Sequence, residues 1–218
     1  MVQRLARLLG MTLVGAWLDR QPPVVAALGR LLVVIVIFGL PVVFALTGAL
    51  TFWEAWWWLW VDALVVGFWA IVALSSWTSR AFFTFHYLIM FTGISAIVMA
   101  THTGHGLPRT ITWWSLAVFG VVSFIVHGWQ TRGQWYPPAG HGSPLSDNAI
   151  MTYPYLRLAV VYFGVFVPIT VPGSLATDPA EVDPATTLMP TVVLMSVKLV
   201  LELLLAHINL GEALRKKG

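Results

Sequence analysis

Long apolar runs separated by short polar breaks dominate this chain. About 20 apolar residues cross a bilayer's hydrocarbon as a helix, and six such runs can be marked, at 30–50, 52–77, 81–101, 111–129, 154–175 and 188–208. Ahead of them, residues 1–20 combine Arg4, Arg7, Asp19 and Arg20 with Leu5, Leu8, Leu9, Leu13 and Trp17, the pattern of a helix lying in the membrane interface. Pro22 and Pro23 end that helix, and Pro41 marks a kinkable point in the first run. Segments 101–110, 130–153 and 176–185 read as loops, rich in Gly, Pro, Ser and Asp. The expectation is an all-α integral membrane protein: an interfacial amphipathic helix over 1–23, a six-helix transmembrane domain over 24–210, and a basic tail over 211–218.

The second run, FWEAWWWLWVDALVVGFWAIVALSSW, shapes the rest of the reading. At about 100° per residue, Trp53, Trp56, Trp57 and Trp60 share one side, suited to the outer half of the membrane and its headgroup boundary. Asp62 falls on the other side with Ala55, Leu59, Val66 and Trp69. A bare charge at mid-bilayer costs roughly 2.5–3.5 kcal/mol or more, so Asp62 must point into protein. Some neighbouring helix has to satisfy it.

Composition and charge sharpen this picture. The 218 residues are 58% hydrophobic and 10% charged, with a mean hydropathy of +0.82. Soluble domains carry about 25% charged residues. The net charge of +3 sits at run ends and forms no aromatic-interleaved patch, which argues against a nucleic-acid partner. There is no cysteine, and so no disulfide, thiolate metal site or cysteine nucleophile. No cleavable signal peptide is expected, since the apolar part of residues 1–18 is short and interrupted by Gly10. Arg4, Arg7, Arg20, Arg30, Arg80, Arg132, Arg157, Arg215, Lys216 and Lys217 fall on one side of a six-span topology, and Arg109 on the other. The positive-inside bias then places both termini in the cytoplasm.

Counting along the runs puts Lys198 at the depth of Asp62, so an Asp62–Lys198 ion pair is the simplest way to tolerate both. Glu202 stands four residues after Lys198, within reach on the same helix face. His86, His127, Arg157, Glu202 and His207 mark a second polar layer nearer the cytoplasm. His86 and His127 are candidate ligands for a haem or chlorophyll-type pigment through imidazole nitrogen. His127 and His207 also sit at run ends, where a wet, hydrogen-bonded histidine is ordinary. His102 and His105 have metal-like spacing but no third ligand, so no metal site is expected. Phosphate loops, nucleophile elbows and HExxH motifs are all missing. The 12 tryptophans exceed one aromatic belt, and could anchor in lipid, coat a pigment or quinone, or meet other subunits.

Four short motifs, in order, are similar to those of an uncharacterised prokaryotic multi-pass membrane family, the domain of unknown function 6498. The aromatic-rich Leu59-Trp60-Val61-Asp62-Ala63 with a later Gly67 resembles that family's Tyr-Trp-x-Glu-Asn segment. Phe82-Phe83-Thr84-Phe85-His86-Tyr87-Leu88 resembles its Phe-Phe-x-x-His-Tyr-Gly, and Pro154-Tyr155-Leu156-Arg157-Leu158 its Pro-Tyr-x-Arg-Ile. Lys198, Glu202 and His207 resemble its closing Lys-x-x-x-Asp with a nearby histidine. The likeness covers roughly residues 30–210, with Ala63 and Leu88 as departures. It implies one polar core made of Asp62, His86, Arg157, Lys198 and Glu202.

These features suggest an accessory subunit without a catalytic site, packed among membrane lipids and other integral subunits of an energy-converting complex, photosynthetic or respiratory. One alternative is a small proton-coupled or solute transporter using Asp62, Lys198 and Glu202. Another is a membrane oxidoreductase subunit holding haem or quinone near His86 and His127.

Overall fold

The computed structural model describes residues 21–102, 113–134, 146–170 and 184–215, and within them every element is helical. We label the helices α1 (Pro23–Leu46), α2 (Phe52–Ala73), α3 (Trp77–His102), α4 (Trp113–Gln134), α5 (Asp147–Thr170) and α6 (Pro184–Arg215). Two are long and apolar enough to cross a membrane, over Glu54–Ala73 and Leu188–Leu205, and shorter apolar stretches lie at Leu31–Leu46 and Trp114–Gly128. The interfacial helix expected over 1–20, the tail after 215, His105, and the side chains of His102 and His207 lie outside the described residues.

Local chemistry sets the helix ends. Pro23 begins α1, where its missing N–H and fixed φ are no handicap. Gly48, at φ 71°, ends that helix by letting the chain turn back, with its N–H donating to Ala45 O at 3.1 Å. Three residues later Thr51 opens α2 with a capping box. Glu54 N donates to Thr51 Oγ1 at 3.3 Å, and Thr51 N donates to Glu54 Oε2 at 3.0 Å.

Most boundaries shift by a few residues from the sequence reading, and two of the shifts bear on the site. α4 runs on to Gln134, and α5 starts at Asp147 rather than at Pro154. Ser146 accounts for the second difference, because its Oγ accepts from Ala149 N at 3.3 Å and caps the helix. Pro154 then falls within a helix that is already under way.

Asp147 also ties the start of α5 to the start of α3. Its Oδ1 accepts from Ser75 N at 3.0 Å and from Ser75 Oγ at 2.9 Å. Partial burial would raise this carboxyl, but hydrogen bonds from Ser79, Ser75 and Ser76 outweigh it and hold the group below the usual carboxylate range. A group depressed in the folded state stabilises above its unfolded value, near 3.9, and that contribution fades as pH falls through the lower folded value. Asp147→Ala should cost about 1 kcal/mol at neutral pH after solvent screening. Thermal unfolding of the variant and the parent should converge toward pH 3 or below. An equal gap at every pH would refute the link.

α2 is the hub, packing against α3, α4, α5 and α6, while α1 lies along α6. Its Asp62 side carries the core: Ala55, Leu59, Ala63, Val66, Trp69 and Ala70 are all buried. The tryptophan side is not simply a lipid face. Trp56 is buried, beside Gly164 on α5 and Leu194 on α6, and Trp57 and Trp60 are half-buried. Trp60 Nε1 donates to Ser95 Oγ at 2.9 Å, and Trp69 Nε1 donates to Phe124 O at 3.0 Å. These indoles are therefore interhelical fasteners as much as membrane anchors.

Gly67 on α2 seats the Tyr87 ring of α3. A Cβ there would lie 2.5 Å from Tyr87 Cε1, in a ring whose hydroxyl is held by Ala63 O at 2.8 Å. With its hydroxyl tethered, the ring has no easy escape. Gly67→Ala should cost about 1–3 kcal/mol by overpacking, read as a lower unfolding temperature in detergent. Gly164→Ala, with its nearest contact at 3.1 Å to a flexible leucine methyl, should cost less.

Candidate functional site: a buried charge cluster

Within the bundle, four helices each contribute to one chain of polar side chains. α2 gives Asp62, α4 gives Ser123 and His127, α5 gives Arg157, and α6 gives Lys198 and Glu202. All six are 5% exposed or less. Lys198 Nζ bridges the two carboxylates, donating to Asp62 Oδ2 at 2.5 Å and to Glu202 Oε1 at 2.7 Å. Asp62 Oδ1 accepts from Ser123 Oγ at 2.6 Å and from His127 Nε2 at 2.7 Å. Arg157 forks onto Glu202, with Nε to Oε1 at 2.6 Å and a terminal nitrogen to Oε2 at 2.8 Å.

Electrostatics explains why the arrangement is tolerable. Two carboxylates face one ammonium and one guanidinium, so with His127 neutral the cluster sums to zero. Isolated charges away from water would be costly, but here each has a partner within hydrogen-bond distance. α1 closes the remaining side: the Phe38 ring lies 5.0 Å below Lys198 Nζ and 5.9 Å from the His127 ring. The first is a cation–π contact and adds attraction in a dry setting.

Of the residues singled out in the sequence, Asp62, Lys198, Glu202 and Arg157 are brought together. His86 is not. On α3 the side chains that turn inward are Phe83, Tyr87, Phe91 and Ile94, and His86 lies one residue off that stripe. It is exposed, with Nδ1 2.8 Å from Tyr155 Oη. His86 and His127 therefore cannot share one cofactor between them. His127 is not a wet helix-end residue either, because it is buried against Asp62.

The depth of the two residues follows from the revised boundaries. α4 continues seven residues past His127, about 10 Å at 1.5 Å per residue. Arg157 stands ten residues into α5, about 15 Å from its start. Ser123 escaped notice in the sequence. Its spacing of four from His127, on one face of an otherwise apolar helix, is the signal that could have found it.

Asp62, His127 and Glu202 offer ligand atoms within 4.8 Å of one another, a metal-like grouping. The Lys198 ammonium already bridges its two carboxylates, so a divalent ion would have to displace it and leave the cluster carrying excess positive charge. The geometry suits an internal cation better than a metal. Chemically, the cluster can hold helices in register and carry a hydrogen-bond path from His127 to Arg157. No protein-family model, curated protein or solved structure matches this chain.

Proposed function

We infer that this chain is an integral membrane accessory subunit, without a catalytic site of its own, in a larger energy-converting membrane complex, photosynthetic or respiratory. The observation that carries this reading is a buried cluster in which Asp62, Lys198, Glu202 and Arg157 are each paired with an opposite charge. What the fold offers outward is apolar: Leu32 and Val36 on α1, Phe82 and Phe85 on α3, Val118 on α4 and Leu204 on α6 are all exposed. Such surfaces suit lipid and the helices of other membrane proteins. In this reading the chain crosses a prokaryotic inner membrane six times, with both termini cytoplasmic. The cluster fixes the bundle so that its outer faces meet partners in one geometry. Solubilisation of native membranes in mild detergent should recover the chain at a native mass well above 24.1 kDa together with other integral subunits. Recovery as a lone monomer would overturn the assignment.

A second reading has one observation in its favour. His127, Asp62, Lys198, Glu202 and Arg157 form a continuous hydrogen-bonded series with an imidazole at one end. A proton-coupled transporter could use such a series. Proteoliposomes that dissipate a proton gradient with the parent chain, but not with Asp62→Asn, would favour this reading over the first.

A further inference from the structure

α3 leaves Phe82, Phe85, Leu88 and Ile89 facing outward, and one imidazole stands among them. His86 lies nine residues into the helix, about 14 Å from its start and about 9 Å past Arg80. Its Nδ1 is 2.8 Å from Tyr155 Oη on α5, and among the described residues its Nε2 has no hydrogen-bond partner. An unmatched polar nitrogen on an apolar helix face is a poor arrangement in lipid. It becomes a good one once a ligand completes it.

We propose that His86 is the axial ligand of a flat, lipid-soluble macrocycle carrying a metal ion with an open coordination position, laid against the outward face of α3. The inference goes beyond the accessory-subunit reading and does not depend on it. Three features support it. Nδ1 lies within hydrogen-bond distance of Tyr155 Oη, and in the tautomer whose Nδ1–H donates to that oxygen the Nε2 lone pair is free to coordinate, as in metal-bound histidines. Tyr155 also fixes the ring, whose centroid lies 5.5 Å from the tyrosine ring and 5.7 Å from that of Phe82. The third feature is the surrounding surface. Phe82 stands one turn before His86 and Ile89 with Met90 one turn after, all exposed, so a macrocycle bound at Nε2 would rest on apolar side chains over about two turns of helix.

The shared chemistry is an imidazole-ligated tetrapyrrole, and its source can be an iron porphyrin or a magnesium chlorin. Purified full-length protein in mild detergent should be titrated separately with haemin and with chlorophyll a. The expected result is 1:1 uptake of one or both, with a metal-centred absorption and resonance Raman signature of a single imidazole ligand. Whichever probe binds identifies the metal. His86→Leu should abolish that signature with little change in the unfolding temperature, since the side chain is exposed. Tyr155→Phe should weaken binding by roughly ten-fold or more. The proposal is overturned if neither probe binds with that signature, or if His86→Leu retains it unchanged. Pull-down of partner subunits plays no part in these readouts, so their failure would leave the accessory reading intact.

Discussion

Lys198→Met should be the most damaging single substitution in this protein, with a cost of about 3–5 kcal/mol and little folded material in detergent. The ammonium bridges Asp62 and Glu202, and methionine of similar length leaves two buried carboxylates competing for Arg157, His127 and Ser123. The test is a double substitution. Asp62→Asn added to Lys198→Met removes the stranded charge and leaves the neutral Arg157–Glu202 pair intact. Thermal unfolding followed by tryptophan fluorescence should show the double variant more stable than Lys198→Met alone. If the second change makes matters worse, the charge-balance account fails.

The other large effect is expected at Arg157. Arg157→Leu strips Glu202 of a two-pronged partner and should cost about 3 kcal/mol, at the lower end because Lys198 still serves Oε1. Arg157→Lys keeps the charge but loses the planar fork, and should cost about 1–2 kcal/mol. The ordering of the two variants, measured by unfolding in detergent, is the informative result. Equal losses would mean that the fork geometry is irrelevant.

Much of this was legible in the chain, for identifiable reasons. Apolar runs and the polar breaks between them marked the six helices of the described residues in nearly the right places. The meeting of Asp62 and Lys198 followed from counting residues inward along two runs. Counting failed where a helix began or ended out of view of hydropathy. The cap at Ser146 adds seven residues to the front of α5, and so buries an Arg157 that the sequence placed near the boundary. His86 failed for another reason: depth says nothing about azimuth, and a residue one step off the buried stripe of α3 faces away from the cluster. The role of Trp56 was hidden because only the packed bundle shows Gly164 beside it.

The Asp62–Lys198 contact joins positions 136 residues apart. Chains are synthesised at about 5–20 residues per second, so roughly 7–27 s separate the emergence of the acid from that of its base. During that interval the carboxylate has at most Ser123 and His127 to lean on. Biogenesis of this protein therefore has a vulnerable window that closes only when α6 arrives, and a chain truncated before α6 should be a ready substrate for quality-control proteolysis.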